Sequence, residues 1–449
     1  MANAPRRWHS VPVDDRGNAV CVIGAGSSGL AAVKNLLEHG FAVDCYDRET
    51  GIGGAWNIRH DRSPVYSSTH LISSKPMTQF PDFPLPDHWP DYPHHSQLLA
   101  YFERYADHFG LREHIWFGTE VVSADPIEND RWRVRVRPSH GGGAERELSY
   151  AAVVVANGHN SHPRTPALPG IEDFRGKVIH SSSYKDAAVL RGKKVLVIGG
   201  GNTGCDIAVE AAQQAAGCWH STRRGYWYAP KYVFGRPADQ VNDATQWLPL
   251  RLRQWAFHRV LRLTVGDLTR FGLRKPDHKV YETHPIVNSQ LVYYVGHGAI
   301  TPVTDVKRFN ARTVEFEDGT EAEPDLVVLA TGYAPRFEFL DPGILGANPP
   351  RLWLHMFAPR HPTLAVAGLV QPDSGQFPLV HWQTQAIARW LTLRTTNPER
   401  AAQIWAGAAD RAEWRWTKAK VSATERHWFE VSHVTYLKAV ESLLKELTA

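Results

Sequence analysis

The sequence predicts an α/β protein built on two Rossmann-like dinucleotide-binding domains, and three observations predict it. A strand-like run, a glycine-rich turn and a helix-forming segment open the chain as AVCVIGAGSSG at 19–29. The same pattern returns in mid-chain as KKVLVIGGGNTG at 193–204. The chain has 449 residues, 43% hydrophobic and 21% charged, enough for two or three domains with large cores. The expected division is a discontinuous first domain, 1–163 with 333–449, and a second domain, 164–332, carrying a partly helical insert at 234–285.

Residues 1–18 read as a loose arm. In the first fingerprint Gly24 permits the tight turn, Gly26 lets backbone approach a pyrophosphate, and Gly29 lets the helix pack close to the strand. The helix N-terminus then presents free N–H groups and the positive end of its dipole to phosphate. A second strand over 42–46 ends at Asp47, whose carboxylate can accept both hydroxyls of an adenosine ribose. The run GIGGAW follows, with Gly53, Gly54 and Trp56 as a second close backbone approach or a plain loop. Residues 66–93, rich in Pro, Ser and aromatics, suit an ordered loop wrapping a surface or a site, because so many prolines forbid a helix interior. Helical periodicity returns over 96–110, antiparallel alternation over 115–137, and an apolar strand over 150–156.

The second fingerprint places Gly199, Gly201, Asn202 and Gly204 in the same roles. After its next strand come Arg223 and Arg224, where the first unit has Asp47. A carboxylate suits a free ribose hydroxyl and arginine suits a 2′-phosphate, so the second nucleotide reads as NADPH; the alternative is two solvent-facing arginines. Within the insert, 246–267 is helical, with Arg251, His258 and Arg262 on one stripe. Such a helix can lie on an anionic membrane or serve as a lid or packing helix. Residues 291–319 read as strand-like pieces, and PDLVVLATGY as an apolar strand leaving through Gly332. The C-terminal tryptophans, Trp382, Trp390, Trp405, Trp414, Trp416 and Trp428, suit interhelix packing.

Composition excludes several functions. A formal charge of +4 without a dense basic stripe argues against a nucleic-acid partner. Four scattered cysteines make neither a disulfide framework nor a redox pair, and with no secretory leader pattern or membrane-spanning run the expected location is the cytoplasm. Despite 23 histidines there is no metal-ligand spacing.

The set GAGSSG, Asp47, GIGGAW, FRGKVIHSSSY, GGGNTG and LATGY resembles the flavin-containing monooxygenases, class B single-component flavoenzymes. Phe174, Gly176, His180 and Tyr184 fit the pattern FxGxxxHxxxY that identifies that family, and the resemblance extends over nearly all of the chain after residue 18. It implies a glutathione-reductase-like arrangement, FAD on the first fingerprint, NADPH on the second, and oxygenation of a soft N- or S-nucleophile through a C4a-(hydro)peroxyflavin. It also implies that His180 and Tyr184 set the relation between the two cofactors. Tyr184 followed by Lys185 favours this branch over the related Baeyer–Villiger oxygenases, which act on ketones. Ile72 stands where many members carry an asparagine; Thr69, His70, Ser73 and Ser74 are the nearby polar residues, with Ser73 and His70 as the candidate catalytic pair. The alternatives are a Baeyer–Villiger enzyme, a nucleotide–disulfide reductase lacking its dithiol, and a non-enzymatic nucleotide sensor. The implied partners are a small nucleophilic substrate and O2, with peripheral membrane contact through 246–263 and a homodimer left open.

Overall fold

The computed structural model describes residues 13–282, 286–345, 349–412 and 428–448. Most of the N-terminal arm, Trp414 and Trp416 therefore lie outside the described residues.

Two five-stranded parallel sheets carry the fold. The first runs Leu364–Val366, Ala152–Val155, Val20–Ile23, Val43–Tyr46, Ile115–Trp116 from edge to edge. Its strands are short and apolar because both faces are covered, as parallel sheets require. On one face lie the helices Ser27–Glu38, His95–His108, Phe377–Thr396 and His433–Thr448, and on the other a sheet formed mainly by Thr119–Pro126, Trp132–Pro138 and Arg146–Tyr150. The second sheet runs Lys177–His180, Leu326–Leu329, Lys194–Ile198, Gly217–Ser221, Thr301–Val303. Helices Asn202–Gln214 and Ser289–Gly296 cover one face, and a three-stranded antiparallel sheet over Val306–Phe309, Val314–Phe316 and Glu321–Ala322 covers the other. Each unit is thus the same three-layer sandwich.

Three expectations change. The apolar run 150–156 is two strands in different sheets: Arg146–Tyr150 pairs antiparallel with Trp132–Pro138, and Ala152–Val155 enters the parallel sheet, with Ala151 N–H bonded to Ala19 O between them. Ile115–Trp116 likewise leaves the antiparallel set and pairs with Val43–Tyr46. Residues 291–296 are helical rather than strand-like, because the Asn288 side chain caps the helix by accepting from Gln290 and Leu291 N–H.

The insert helix, Leu250–Thr264, keeps the stripe of Arg251, His258 and Arg262 exposed and turns Arg253 and Leu261 inward. Arg253 is buried, its guanidinium 4.9 Å from the Tyr281 ring centre and bonded to Gln246 and Asn242 at 2.8 and 2.7 Å. Leu252, Trp255 and Leu263 face outward instead.

Candidate functional site

Both glycine loops leave the C-terminal ends of their sheets toward one cavity of about 1660 Å³. That is where open α/β sheets bind ligands. In the first loop Gly24 has φ +106, and a Cβ there would stand 2.7 Å from Ala156 O. A Cβ on Gly29 would stand 1.7 Å from Gly24 O, so strand and helix touch through backbone alone. The loop over 51–56 folds back on the first: a Cβ on Gly54 would lie 2.9 Å from the Gly26 Cα. Side-chain-free backbone therefore lines this part of the cavity, as an approaching pyrophosphate requires. Trp56 lies on the same wall.

Asp47 follows the second strand. Its Oδ2 accepts Ala25 N–H at 2.6 Å and its Oδ1 accepts Glu49 N–H at 2.8 Å. Burial pushes its carboxyl above the usual range, opposed by those two bonds and by nearby His60. His60 is a residue that sequence reasoning missed. Its Nδ1 lies 3.1 Å from Gly54 O, while its buried Nε2, on a residue that lines the cavity, has no hydrogen-bond partner among the described residues. A glycine cradle, a fixed carboxylate and a ring nitrogen left for an incoming group fit an adenine dinucleotide such as FAD. Those residues are the ones that would hold it.

The second loop repeats this architecture. Gly199 has φ +132 and its Cβ would meet Ala330 O at 2.2 Å, while a Cβ on Gly204 would meet Gly199 O at 2.0 Å. Gly201 caps the helix Asn202–Gln214, and the Asn202 side chain accepts Val287 N–H at 3.1 Å. The neighbouring Gly200 has no room for a side chain because the Tyr226 ring lies over it.

One expectation needs correcting by register. Ile23 pairs with Tyr46 and Ile198 with Ser221, so Asp47 corresponds to Thr222 rather than to Arg223. The backbone agrees: Asp47 N–H bonds Trp116 O on the next strand, and Thr222 N–H bonds Val303 O on its own next strand. Arg223 and Arg224 stand one and two residues further along, still on the cavity wall. Arg224 lies 5.4 Å from the Tyr226 ring centre, and Arg274 holds the Arg223 carbonyl at 2.6 Å. Two cations beside a helix N-terminus suit a phosphorylated ribose such as that of NADPH.

The FxGxxxHxxxY residues do not line the cavity, although Ser181 within the run does. The buried Phe174 ring covers Gly176, where a Cβ would stand 2.5 Å from it. His180 ends its strand with Nδ1 accepting Ser182 N–H at 3.0 Å and Nε2 donating to Gly332 O at 3.2 Å, a pattern that one neutral tautomer satisfies. Burial pushes its imidazole below the ordinary value, with the Gly332 bond opposing. Tyr184 is fully buried, its hydroxyl on Glu210 and its ring 5.5 Å from Tyr66 of the first unit.

Around it the two units interlock. Tyr66 donates to Asp206 at 2.8 Å, Ser68 donates to Glu210, and Lys185 donates to Ser63 O at 2.6 Å. Asp206 and Glu210, one helical turn apart, form a carboxylate comb between the units that the sequence pattern did not reveal.

The candidate catalytic residues sit on the first unit's cavity loop. Ile72 is 46% exposed, Ser73 shares a 2.7 Å hydrogen bond with Thr78, and exposed His70 directs Nδ1 to Ser68 O at 2.8 Å. All three line the cavity, and the His70 ring meets the His94 ring edge to face at 4.9 Å. Among the described residues no cluster of His, Cys, Asp and Glu could hold a metal, and no helix is long and apolar enough to cross a membrane.

Comparison with known proteins agrees with this architecture. The flavin-binding monooxygenase-like family model matches residues 17–447. Flavin-containing monooxygenase 5 of Oryctolagus cuniculus is 36% identical over 84% of this chain and 73% of its own length. Dimethylaniline monooxygenase [N-oxide-forming] 2 of Rattus norvegicus is 36% identical over 83% of this chain and 72% of its own. A cyclohexanone monooxygenase from Rhodococcus sp. Phi1 bound to NADP+ shares the fold, with TM-score 0.68 and 20% identity over 97% of both chains. The chain belongs to the flavin-binding monooxygenase-like family and is an FAD- and NADPH-dependent monooxygenase.

Proposed function

We propose that this enzyme transfers one oxygen atom from O2 to a small soft nucleophile, an amine or a sulfide. The observation that carries the proposal is the shared cavity onto which both glycine loops open, so that reductant and oxygen-activating cofactor occupy one space. The flavin, when bound and reduced by NADPH, supplies the activated oxygen; the protein's part is binding, orientation and exclusion of water. Gly24, Gly26, Gly29, Gly54, Asp47 and the helix starting at Ser27 hold the first nucleotide. Gly199, Gly201, Gly204 and Arg223 hold the second. A soft nucleophile needs no side-chain base to attack, so the chemistry does not depend on Ser73 or His70 acting as one. The N-oxide-forming relative supports this substrate class, whereas the likeness to a cyclohexanone monooxygenase is one of fold. Oxygen uptake, peroxide release and product formation with NADPH across amines, sulfides and cyclic ketones test the reading. Lactone formation with no N- or S-oxide would overturn it.

The insert helix favours a second reading, peripheral contact with an anionic membrane. Trp247, Trp255, Leu252 and Leu263 are all more than half exposed, Arg251, Arg259 and Arg262 are exposed beside them, and residues 244–266 contain no carboxylate. Apolar rings among exposed cations, of which Arg262 lies near Asp267 and Arg259 over the Trp255 ring, complement a headgroup layer carrying negative charge. Sedimentation with phosphatidylserine vesicles, against neutral ones, decides it; equal partitioning to both, or self-association without vesicles, counts against it. Four buried thiols fit a reducing compartment, and we place the enzyme on the cytoplasmic side.

A further inference from the structure

The cavity loop that carries Ile72 and Ser73 belongs to the first unit, and most of its anchors do too. Leu71 N–H bonds Pro93 O at 2.9 Å and Lys75 N–H bonds Asp91 O at 2.7 Å. Ser74, fully buried, breaks this rule: its N–H donates to Asp239 Oδ2 at 2.5 Å, across the gap between the units. Gln240 adds a 3.4 Å bond from Nε2 to Ser74 Oγ. Asp239 lies on the helix Ala238–Ala244 of the insert, lines the cavity, and has its other oxygen on Gln240 N–H at 2.9 Å.

The segment just before the insert grips the loop twice more. Tyr92 donates to Lys231 O at 2.7 Å, and Tyr232 donates to Asp91 at 3.1 Å. The Tyr92 and Tyr232 rings meet edge to face at 5.6 Å, and the Lys231 ammonium lies 4.7 Å from the Tyr92 ring centre. These contacts stand apart from the carboxylate comb, which holds residues 66–68 from the helix Asn202–Gln214.

We infer that Asp239 is a positioning residue: its bond to Ser74 N–H fixes the Ile72–Ser73 loop against the second unit and so sets how well the cavity excludes water during oxygen transfer. A carboxylate accepting a buried N–H is one of the stronger neutral-to-ion hydrogen bonds, and losing it leaves that donor unpaired. Freed from Asp239, the loop keeps its first-unit anchors, so FAD stays bound, but the cavity wall between the units loosens. Water then reaches the activated oxygen, and reducing equivalents leave as hydrogen peroxide instead of product.

The inference rests on the oxygen-transfer reading for its readout, and wild-type enzyme that consumed no O2 would fail that reading rather than this one. In Asp239→Ala, FAD content, KM for NADPH and anaerobic flavin reduction should stay within about twofold of wild type, while peroxide per NADPH rises about three- to tenfold. Asp239→Asn keeps an acceptor oxygen and should recover more than half of the lost coupling. Should Asp239→Ala not fold, Tyr232→Phe loosens the same loop through its separate bond to Asp91, from a half-exposed ring, with peroxide expected to rise about 1.5- to 3-fold. A wild-type peroxide yield in the variants that fold overturns the inference. So does a rise that only tracks loss of FAD, since that marks Asp239 as structural.

Discussion

The two nucleotide units are near copies in backbone and unlike in the residues just past their second strands. Gly24 N–H bonds Tyr46 O and Gly199 N–H bonds Ser221 O; Ala156 N–H bonds Ile23 O and Ala330 N–H bonds Ile198 O. The third glycine of each loop meets the first through a carbonyl. At the next position the copies part. Asp47 spends both carboxylate oxygens on neighbouring backbone and is buried, whereas Thr222 brings no charge and Arg223 beyond it is exposed. The shared geometry suits a phosphate cradle, and our proposal gives the side chains at the strand exits the choice between a free and a phosphorylated ribose.

The strongest way to break that comparison is at the third glycine. Gly29→Ala should abolish FAD binding, read as visible flavin absorbance per polypeptide, because its Cβ would stand 1.7 Å from a carbonyl oxygen that cannot move. Gly204→Ala should keep FAD and weaken NADPH binding about ten- to hundredfold, since overpacking costs about 1–3 kcal/mol. Loss of FAD from the second variant would mean that the units do not load independently.

Arg223→Ala tests the sugar choice. A charge-assisted bond to the 2′-phosphate contributes about 1.5–3 kcal/mol, so kcat/KM preference for NADPH over NADH should fall roughly 10- to 150-fold. Thr222→Asp, which copies Asp47 into the second unit, should lower the preference further in the same assay. An unchanged ratio in Arg223→Ala would assign the phosphate to Arg224.

His180 lies outside both cradles, bonded to Ser182 and Gly332 of the second unit. His180→Ala should retain FAD yet raise peroxide per NADPH by about two- to fivefold, from losing a bond of about 1 kcal/mol to Gly332 O; FAD loss would make it a folding residue. The smallest expected effect is at Ile72, whose side chain cannot hydrogen-bond. Ile72→Asn should lengthen the life of the oxygenating flavin species about two- to threefold in stopped-flow absorbance, equivalent to well under 1 kcal/mol. No change would show that another group already serves there.

What was legible in the sequence was what depends on neighbours along the chain. Gly24, Gly199, Asp47 and the strands beside them obey spacing rules, because a tight turn fixes where the phosphate and the ribose go. The register of Arg223 was misplaced by one because a strand's last paired residue is decided by its partner strand, not by its own sequence. Asp206, Glu210 and Asp239 were invisible for a related reason. Their partners Tyr66, Ser68 and Ser74 lie more than a hundred residues away in the chain, and a carboxylate on a half-exposed helix looks like any solvated one. The burial of Arg253 on the insert helix was equally hidden, because its partner ring, Tyr281, arrives from outside the helix.

The strand Leu364–Val366 completes the first sheet by pairing with Ala152–Val155. During synthesis the ribosome must add roughly 200 more residues after Val155 before that partner exists, which at ~5–20 residues per second takes roughly 10–40 s. For that interval Ala152–Val155, wholly apolar and buried in the finished protein, is an unpaired strand edge, the kind that recruits strands from other chains. The nascent first unit must wait for the whole second unit to pass before it can close. Yield on overexpression should therefore depend on chaperone supply more than the stability of the finished enzyme would suggest.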